Sequence, residues 1–307
     1  MDTRKIRVAF SYIAYPVAMP RYFLEALERR DDVDLWVAGP FTGRSIPWMG
    51  GMHLPPSYVK QPDLSLPPGP STSVIYSYIE KHLPWEPDIW IEGNAGLKTE
   101  GRPKISPYVV IGTDPHVLNY DLAREKADIF YSMQQPYMKP GDRWLPYGYD
   151  PIYHRKTEKS WDERDYDISL VGLPYPERRS FMEELSRRGY RIHLENGPAY
   201  EDAWDIYNSS RLGLNLSSRS DTTARVFELM AMGLPAVLNS VPDLVSMFNA
   251  GEDYATFHTP EEGYTVVEAL LRDPDRAQEI AENGYKAVQE HSWDARMSQV
   301  LSESGVL

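Results

Sequence analysis

The feature that most constrains the fold is an alternation of short apolar runs with amphipathic stretches, which occurs twice along the chain. Alternation of this kind indicates crossover connections and a parallel sheet. In the first half it predicts strands at 6–11, 33–38, 88–92, 108–112 and 128–132, and helices at 20–30, 72–82 and 117–126. In the second half it predicts strands at 167–171, 191–194, 212–216 and 236–238, and helices at 177–188, 200–209, 224–232, 243–248, 261–272, 274–291 and 293–301.

The charge distribution breaks near the midpoint of the 307 residues. Residues 1–150 carry 16 Lys/Arg and 18 Asp/Glu, whereas residues 151–307 carry 16 and 27. Together with the two alternations, this break predicts two α/β domains, each a Rossmann-like doubly wound parallel sheet, facing a cleft. We expect an N-terminal domain at 1–150, joined by a C-terminal helix at 293–307, and a C-terminal domain at 151–292. Eight prolines between residues 39 and 70 predict a long irregular excursion.

Composition excludes several classes of chemistry. The chain has no cysteine, which rules out disulfides, thiolate metal sites and a cysteine nucleophile. Its seven histidines stand singly, so no metal site is predicted. The net charge of −13 argues against a nucleic-acid surface. No apolar run approaches a membrane span, and no secretory signal precedes the first strand, so we expect a cytoplasmic protein.

The segment 217–238 is the most informative for chemistry. It passes from a strand through a Ser/Asp/Thr-rich turn into a helix that begins near Thr223. Helix N-termini suit phosphates, and Arg225 and Glu228 share one face of this helix, where they could clamp a diphosphate and accept ribose hydroxyls. Alternatively, Asp221 or Thr222 caps the helix and Arg225 forms a surface ion pair with Glu228. Spacing alone favours this alternative.

Three stretches resemble one enzyme family. The sequence ELMAMGLPAV at 228–237 resembles the Glu-Ala-x-Ala-x-Gly-x-Pro-Val-Val signature of GT-B glycosyltransferases of family 4, also called group 1. The preceding Arg-Val-Phe is closer to the CgeB-like branch, known from spore-maturation proteins. VGLPYPER at 171–178 resembles their Val-Gly-Arg-Leu-x-x-x-Lys stretch, and the tail at 273–293 resembles their closing helices. The similarity covers about residues 166–301 and is only architectural over 1–150.

The resemblance implies roles for residues of the second half. It places Gly172 and Arg178 in the site of the donor diphosphate, with Arg178 at the position of the family's lysine. It makes Glu228 the acceptor of the donor's ribose hydroxyls. The amides of Thr222 and Thr223 would face the phosphates.

The chain also departs from the family pattern. Ser220 stands where the family has the first glutamate of Glu-x7-Glu, and Leu173 replaces the arginine of the phosphate pair. Arg179, Arg219 or Arg225 could supply the second positive charge. The N-terminal glycine-rich turn is absent, and SYIAYP at 11–16 takes its place.

Residues after the predicted strand at 108–112 are the catalytic candidates. By the resemblance, Asp114 and His116 would lie near the acceptor or the transferred sugar. An equally weighted alternative is a helix cap followed by an exposed histidine. The stretch PYGYDP at 146–151 resembles the family's exit from its first domain and is interpreted as a turn without chemistry. Trp48 and Tyr58 are candidates for sugar or acceptor contact.

The function implied by this resemblance is hexosyl transfer from a nucleotide-diphosphate sugar to an unidentified acceptor, with retention of configuration. The acceptor would be a carbohydrate or another small or macromolecular compound, and neither a cofactor nor a metal is expected. One alternative is a noncatalytic sugar-nucleotide-binding or maturation protein that has kept the fold and lost the first glutamate. Another is a glycosyltransferase acting on modified DNA bases, which the nearly neutral first half does not favour.

Overall fold

The computed structural model describes residues 4–46, 52–68, 73–217, 219 and 221–307. The chain divides into two compact units. The N-terminal unit spans Met1–Pro146 together with Trp293–Leu307, and the C-terminal unit spans Tyr147–Ser292. Within the described residues, no helix is both long and apolar enough to cross a bilayer.

The N-terminal unit is built on a seven-stranded parallel sheet with small pairs of strands beside it. Its strands are β1 (Ile6–Tyr12), β2 (Val33–Pro40), β3 (Ser45–Ile46), β4 (Met52–His53), β5 (Leu64–Leu66), β6 (Ser73–Ile75), β7 (Ile89–Asn94), β8 (Lys98–Glu100), β9 (Tyr108–Gly112), β10 (Ile129–Ser132) and β11 (Arg143–Trp144). Its first three helices are α1 (Met19–Glu28), α2 (Tyr76–Ile79) and α3 (Asp121–Lys126). The sheet order is β11-β10-β9-β7-β1-β2-β5, while β3 pairs with β4 and β6 with β8.

The central strands of this sheet are fully buried. All residues of β7 and β9 are inaccessible or nearly so, as expected for parallel strands covered on both faces. Asn94 at the end of β7 is in register with Gly112 at the end of β9. The segment that follows β9 therefore begins beside Asn94, at the sheet edge where ligands of open α/β sheets bind.

The C-terminal unit has a five-stranded parallel sheet in the order β13-β12-β14-β15-β16. Its strands are β12 (Tyr166–Val171), β13 (Ile192–Glu195), β14 (Ser210–Asn215), β15 (Ala236–Asn239) and β16 (Ala255–Phe257). Its helices are α4 (Pro176–Arg187), α5 (Tyr200–Asn208), α6 (Ala224–Ala231), α7 (Pro260–Arg272) and α8 (Pro274–Val288). The strand order reverses between β12 and β14, because the chain leaves β12 toward β13 and returns to β14 on the other side. Such a switch point opens a crevice at the carboxyl ends of the strands.

The glycine of the ELMAMGLPAV stretch ends helix α6. Gly233 has a φ of 64° in the left-handed region, its amide donates to the carbonyl of Met230, and the amide of Leu234 donates to that of Leu229. This is the hydrogen-bond pattern of a glycine C-cap. Part of the motif thus has a structural role, which is to turn the chain from α6 into β15.

The last helix, α9 (Trp293–Glu303), belongs to the N-terminal unit. Trp293 is fully buried, and its ring lies 5.1 Å from that of Phe23 in α1. Arg29 donates two hydrogen bonds of 2.9 Å to the carboxylate of Asp294. Aromatic packing and this bidentate pair together fix α9 against α1.

The predicted doubly wound parallel sheets are confirmed, and several individual elements are corrected. The helix predicted at 72–82 is wrong in its first part: Ser73–Ile75 is a strand, α2 has a single turn, and Thr72 lies outside the described residues. The helix predicted at 117–126 starts only at Asp121, and the one at 243–248 is a 3-10 turn at Pro242–Ser246. The excursion at 39–70 contains β3, β4 and β5, of which β5 extends the main sheet alongside β2.

Candidate functional site

The candidate donor residues of the C-terminal unit gather at the switch point between β12 and β14. Gly172 follows β12 directly, with a φ of 144°, and its amide donates to the carbonyl of Glu195 at 2.7 Å. Asn215 ends β14 and is buried. Because these strands are parallel neighbours, both residues lie at one edge of the sheet.

Arg225 reaches back from the first turn of α6 to both strand ends. Its Nε donates to the carbonyl of Val171 at 2.8 Å, and its Nη1 donates to Oδ1 of Asn215 at 2.9 Å. A Cβ at position 172 would collide with Nη2 of Arg225. Glycine at 172 therefore provides both the backbone conformation and the space that this guanidinium occupies.

Arg178 approaches the same point from α4. Its Nε donates to the carbonyl of Leu216 at 2.7 Å, its Nη1 donates to the carbonyl of Leu173 at 3.0 Å, and the residue is 6% exposed. Nη1 lies 3.9 Å from the position that a Cβ at Gly172 would take. Burial, followed by the neighbouring charge of Arg225, lowers the pKa of Arg178 to about 10.

Neither arginine of this pair has a carboxylate as its partner. Their guanidinium hydrogen bonds go to three backbone carbonyls and to the side-chain amide of Asn215. Among the residues that the structure describes, no aspartate or glutamate forms an ion pair with Arg178 or Arg225. Arg178 is buried and Arg225 partly buried. Two adjacent positive charges in such surroundings, without a directly paired carboxylate, are costly, and an anionic ligand would offset that cost.

The turn before α6 does not contain the helix cap by Asp221 or Thr222 that was predicted as the alternative. The N-cap residue is Thr223, and its hydroxyl donates to Oδ1 of Asn215 at 3.0 Å instead of accepting from a helix amide. Asp221 accepts a hydrogen bond from the hydroxyl of Ser217, and its amide donates back to that oxygen at 2.8 Å. Thr222 is 2% exposed. The amides at the start of α6 are therefore not capped by Thr223, and Ser220 lies outside the described residues.

Glu228 lies one turn further along α6 and does not pair with Arg225 within the described part of the chain. Its Oε1 instead lies 3.7 Å from Nε2 of His154. The two side chains are 19% and 6% exposed, respectively. The surface ion pair predicted as the alternative is therefore wrong, and the Glu228 carboxylate is mostly enclosed.

Asp114 and His116 lie in one turn of the N-terminal unit, after β9. The carboxylate of Asp114 accepts a hydrogen bond of 2.6 Å from the hydroxyl of Thr113, and its carbonyl accepts from the amides of Val117 and Leu118. No helix begins at this point, since α3 starts at Asp121, and His116 is half-buried rather than exposed. Both parts of the alternative, the helix cap and the exposed histidine, are therefore wrong.

The long proline-rich segment contributes less than expected to the candidate site. Tyr58 is 5% exposed, and its carbonyl accepts a hydrogen bond from Arg21. Its ring therefore does not form an open surface for a sugar. Trp48 lies outside the described residues.

Sequence reasoning missed three residues at this site: Asn215, Tyr207 and His154. Asn215 accepts hydrogen bonds from both Arg225 and Thr223, and the hydroxyl of Tyr207 accepts one from the amide of Val171 at 3.0 Å. His154 faces Glu228. The signal for Asn215 was a polar residue at the end of an apolar strand, whereas His154 carried none beyond its nearness to PYGYDP. Over the described ranges, no group of three or more potential metal-ligating residues occurs.

A family model described as "Glycosyl transferase-like" matches residues 155–302, slightly less than half of the chain. This region contains every candidate donor residue.

Several solved glycosyltransferase structures resemble the chain over nearly its whole length. The Anabaena protein HepE, in complex with UDP and glucose, is 13% identical, with a TM-score of 0.66 over 98% of this chain and 100% of that chain. An alpha-glucosyltransferase in complex with UDP and a 13-mer DNA containing an HMU base is 12% identical, with a TM-score of 0.65 over 98% and 99%. Sucrose-phosphate synthase from Thermosynechococcus elongatus is 14% identical, with a TM-score of 0.62 over 97% and 98%.

The chain has the GT-B fold. At these identities the likeness extends to the fold alone, and it agrees with the two parallel-sheet units described above. One of these similar structures contains DNA, so the comparisons give no support to the expectation that nucleic acid is not a partner. That expectation stays a prediction.

Proposed function

We propose that this protein is a glycosyltransferase that moves a sugar from a nucleotide-diphosphate sugar to an acceptor. The observation that carries the proposal is the adjacency of Arg178 and Arg225 at the β12–β14 switch point without a carboxylate partner. Two guanidiniums at a helix N-terminus match the charge and the oxygen geometry of a diphosphate. The match of residues 155–302 to a glycosyl transferase-like family supports this assignment.

In this proposal the two arginines act on the leaving group. As the bond between the anomeric carbon and the diphosphate oxygen breaks, negative charge grows on that oxygen and spreads over the phosphates. Arg178, Arg225 and the amides at the start of α6 stabilise this charge. The two guanidiniums are already oriented by backbone carbonyls and by Asn215 before the ligand binds. The chemistry proposed here needs no metal ion.

Glu228 accepts the ribose hydroxyls of the donor. Within the described part of the chain its carboxylate accepts no hydrogen bond from a protein donor, so both oxygens are available to a ligand. Asp114 and His116 act on the transferred sugar or the acceptor. Retention of the anomeric configuration and membership of the CgeB-like branch belong to the proposal, on the strength of the sequence resemblance alone.

The test is calorimetric titration of UDP, GDP and ADP into the wild type, Arg178→Met and Arg225→Met. Loss of either guanidinium should weaken binding by at least about tenfold, which is about 1.4 kcal/mol. Arg179→Met is the matched control, because Arg179 adjoins Arg178 in α4 and is exposed. Equal affinities in all four proteins would overturn the diphosphate assignment.

Incubation with the matching nucleotide-glucose separates the functional alternatives. A transferase releases free glucose and nucleoside diphosphate slowly when water replaces the acceptor, and NMR detects both products. Binding without any turnover would instead identify a noncatalytic sugar-nucleotide-binding protein. Transfer to an oligonucleotide containing hydroxymethyluracil would identify a DNA-modifying enzyme, an acceptor class suggested by the DNA-bound glucosyltransferase of the same fold.

A further inference from the structure

His154 is buried beside Glu228 and has no role in the function proposed so far. Its ring is 6% exposed, and its Nε2 lies 3.7 Å from Oε1 of Glu228, within ion-pair range but longer than a hydrogen bond. At this distance the ring lies beside the carboxylate without using one of its acceptor positions. Both oxygens of Glu228 stay available to a ligand.

The backbone of the PYGYDP segment fixes the histidine ring. The amide of Asp150 donates to Nδ1 of His154 at 2.9 Å, and the amide of His154 donates to the carbonyl of Asp150, also at 2.9 Å. The carboxylate of the fully buried Asp150 accepts from the amide of Ile152. These hydrogen bonds within residues 150–154 hold the ring independently of Glu228.

The same contacts determine which nitrogen carries the proton. Because Nδ1 accepts a hydrogen bond from a backbone amide, the neutral ring must carry its hydrogen on Nε2. Nε2 is the nitrogen that faces Glu228. With Nδ1 as the acceptor, the ring presents the N–H of Nε2 toward the carboxylate.

We propose that His154 is a positioning residue that holds the Glu228 carboxylate in the orientation in which it accepts both ribose hydroxyls of the donor. This inference rests on the proposed function. It predicts selection for ribonucleotide donors over 2′-deoxyribonucleotide donors such as dTDP-sugars, because a carboxylate held for two vicinal hydroxyls loses one bond when the 2′-hydroxyl is missing.

The experiment compares two conservative variants that separate the two ring nitrogens. In His154→Asn, the side-chain oxygen can accept from the Asp150 amide as Nδ1 does, but no donor reaches Glu228. In His154→Gln, the longer amide can donate toward Glu228 as Nε2 does. His193→Asn is the matched control, because His193 forms a histidine–glutamate pair with Glu195 in the same unit at 2.9 Å.

The readout is the affinity ratio of UDP to dUDP, GDP to dGDP and ADP to dADP, measured by calorimetry for whichever base binds. The wild type, His154→Gln and His193→Asn should prefer the ribonucleotide by about tenfold or more, which is the loss of one hydrogen bond to a charged group. In His154→Asn the preference should fall below about threefold while the melting temperature is held. A full preference in His154→Asn would overturn the proposal.

Other outcomes separate this inference from the proposed function. If the wild type binds ribonucleotides and 2′-deoxyribonucleotides equally and Arg178→Met still abolishes binding, the diphosphate site is supported and the proposed role of His154 is wrong. If all variants of His154 lose stability and lose both affinities in parallel, the histidine is structural and the inference is wrong. If no nucleoside diphosphate binds the wild type, the proposed function falls, and the inference falls with it.

Discussion

The guanidinium groups of Arg178 and Arg225 lie within 3.9 Å of one point, the position that a Cβ at residue 172 would occupy. One arginine comes from α4 and the other from α6, and neither has an acidic partner within the described residues. Like charges are held together in this way only where other interactions compensate, here hydrogen bonds to carbonyls and to Asn215. The predictions for the site follow from this pair.

Gly172→Ala should weaken nucleoside diphosphate binding by at least about tenfold. The new methyl group would occupy the place of the Arg225 guanidinium and would also strain a backbone with a φ of 144°. Gly189→Ala is the control, since Gly189 has a φ of 94° but open space around it. Titration should show lower affinity only for Gly172→Ala, although both variants lose thermal stability. Equal loss of affinity in both would attribute the effect to backbone strain.

Asn215→Asp should stabilise the ligand-free protein and weaken diphosphate binding. The change places a carboxylate 2.9 Å from Nη1 of Arg225, where it forms a direct ion pair and competes with the ligand. Asn208→Asp is the control, because its Oδ1 also accepts two hydrogen bonds, but from the backbone amides of Glu158 and Lys159 and not from an arginine. Thermal melts with and without UDP measure both effects. A variant that binds as tightly as the wild type would contradict an anion site at Arg225.

Sugar transfer should continue in the presence of a chelator such as EDTA. Arg178 and Arg225 already provide two positive charges where the diphosphate is proposed to bind, so the leaving group does not depend on a cation for neutralisation. The measurement is the rate of release of nucleoside diphosphate with EDTA, compared with the rate after addition of Mg²⁺ or Mn²⁺. A rate abolished by EDTA and restored by either ion would show that the arginines are insufficient.

The sequence predicted the sheet architecture well, because the central strands are continuous apolar runs such as Tyr108–Gly112. Edge strands were missed, since β11 and β16 have only two and three residues and show no periodicity. The helix predicted at 72–82 failed where the β-branched Val74 and Ile75 favoured a strand over a helical turn.

The candidate site was predictable in its members but not in its pairings. Arg178 and Glu228 were found from motif resemblance and Arg225 from its spacing to Glu228, whereas the choice of Arg225 over Arg179 and Arg219 as the neighbour of Arg178 depended on topology. Arg225 contacts Val171 across 54 residues of sequence, and this contact exists because β12 and β14 are neighbours in the sheet. His154 likewise lies beside Glu228 because of tertiary packing, which no local sequence pattern predicts.

Glu92 should make the stability of the protein fall as pH rises above the ordinary range of a carboxyl group. Burial raises the pKa of Glu92, although the hydroxyls of Tyr76 and Tyr108 and the amide of Asn94 donate to it and oppose the shift. A carboxyl with a raised folded-state pKa holds its proton more tightly in the folded state. Its stabilising contribution is therefore complete below the unfolded-state pKa and is lost as pH rises through the folded-state pKa.

Glu92→Gln removes this proton equilibrium, so the melting temperature of the variant minus that of the wild type should become more positive between pH 4 and pH 8. The amide of the new glutamine also faces the Asn94 amide, which adds a constant offset, and the pH-dependent part is therefore the decisive quantity. Glu86→Gln, at an exposed position, should show no such trend. A difference that is flat with pH would mean that Glu92 keeps an ordinary titration in the fold.

Asp114→Asn and His116→Gln should lower the rate of sugar transfer with little change in donor affinity. Both residues belong to the N-terminal unit, whereas the residues proposed to hold the donor belong to the C-terminal unit. The Asp114 variant keeps an oxygen that can accept from Thr113, and the turn relies on the backbone carbonyl of Asp114, so the local structure should survive. If the lost group transfers a proton or contacts the reacting sugar, turnover should fall by about 10²- to 10⁴-fold. Asp121→Asn in α3 is the control, because Asp121 is paired with Lys139 on the surface. Turnover with saturating donor and donor affinity by calorimetry are measured for each variant. Full turnover in both variants would remove Asp114 and His116 from the chemistry. A loss of donor affinity as large as the loss of turnover would make them binding residues instead.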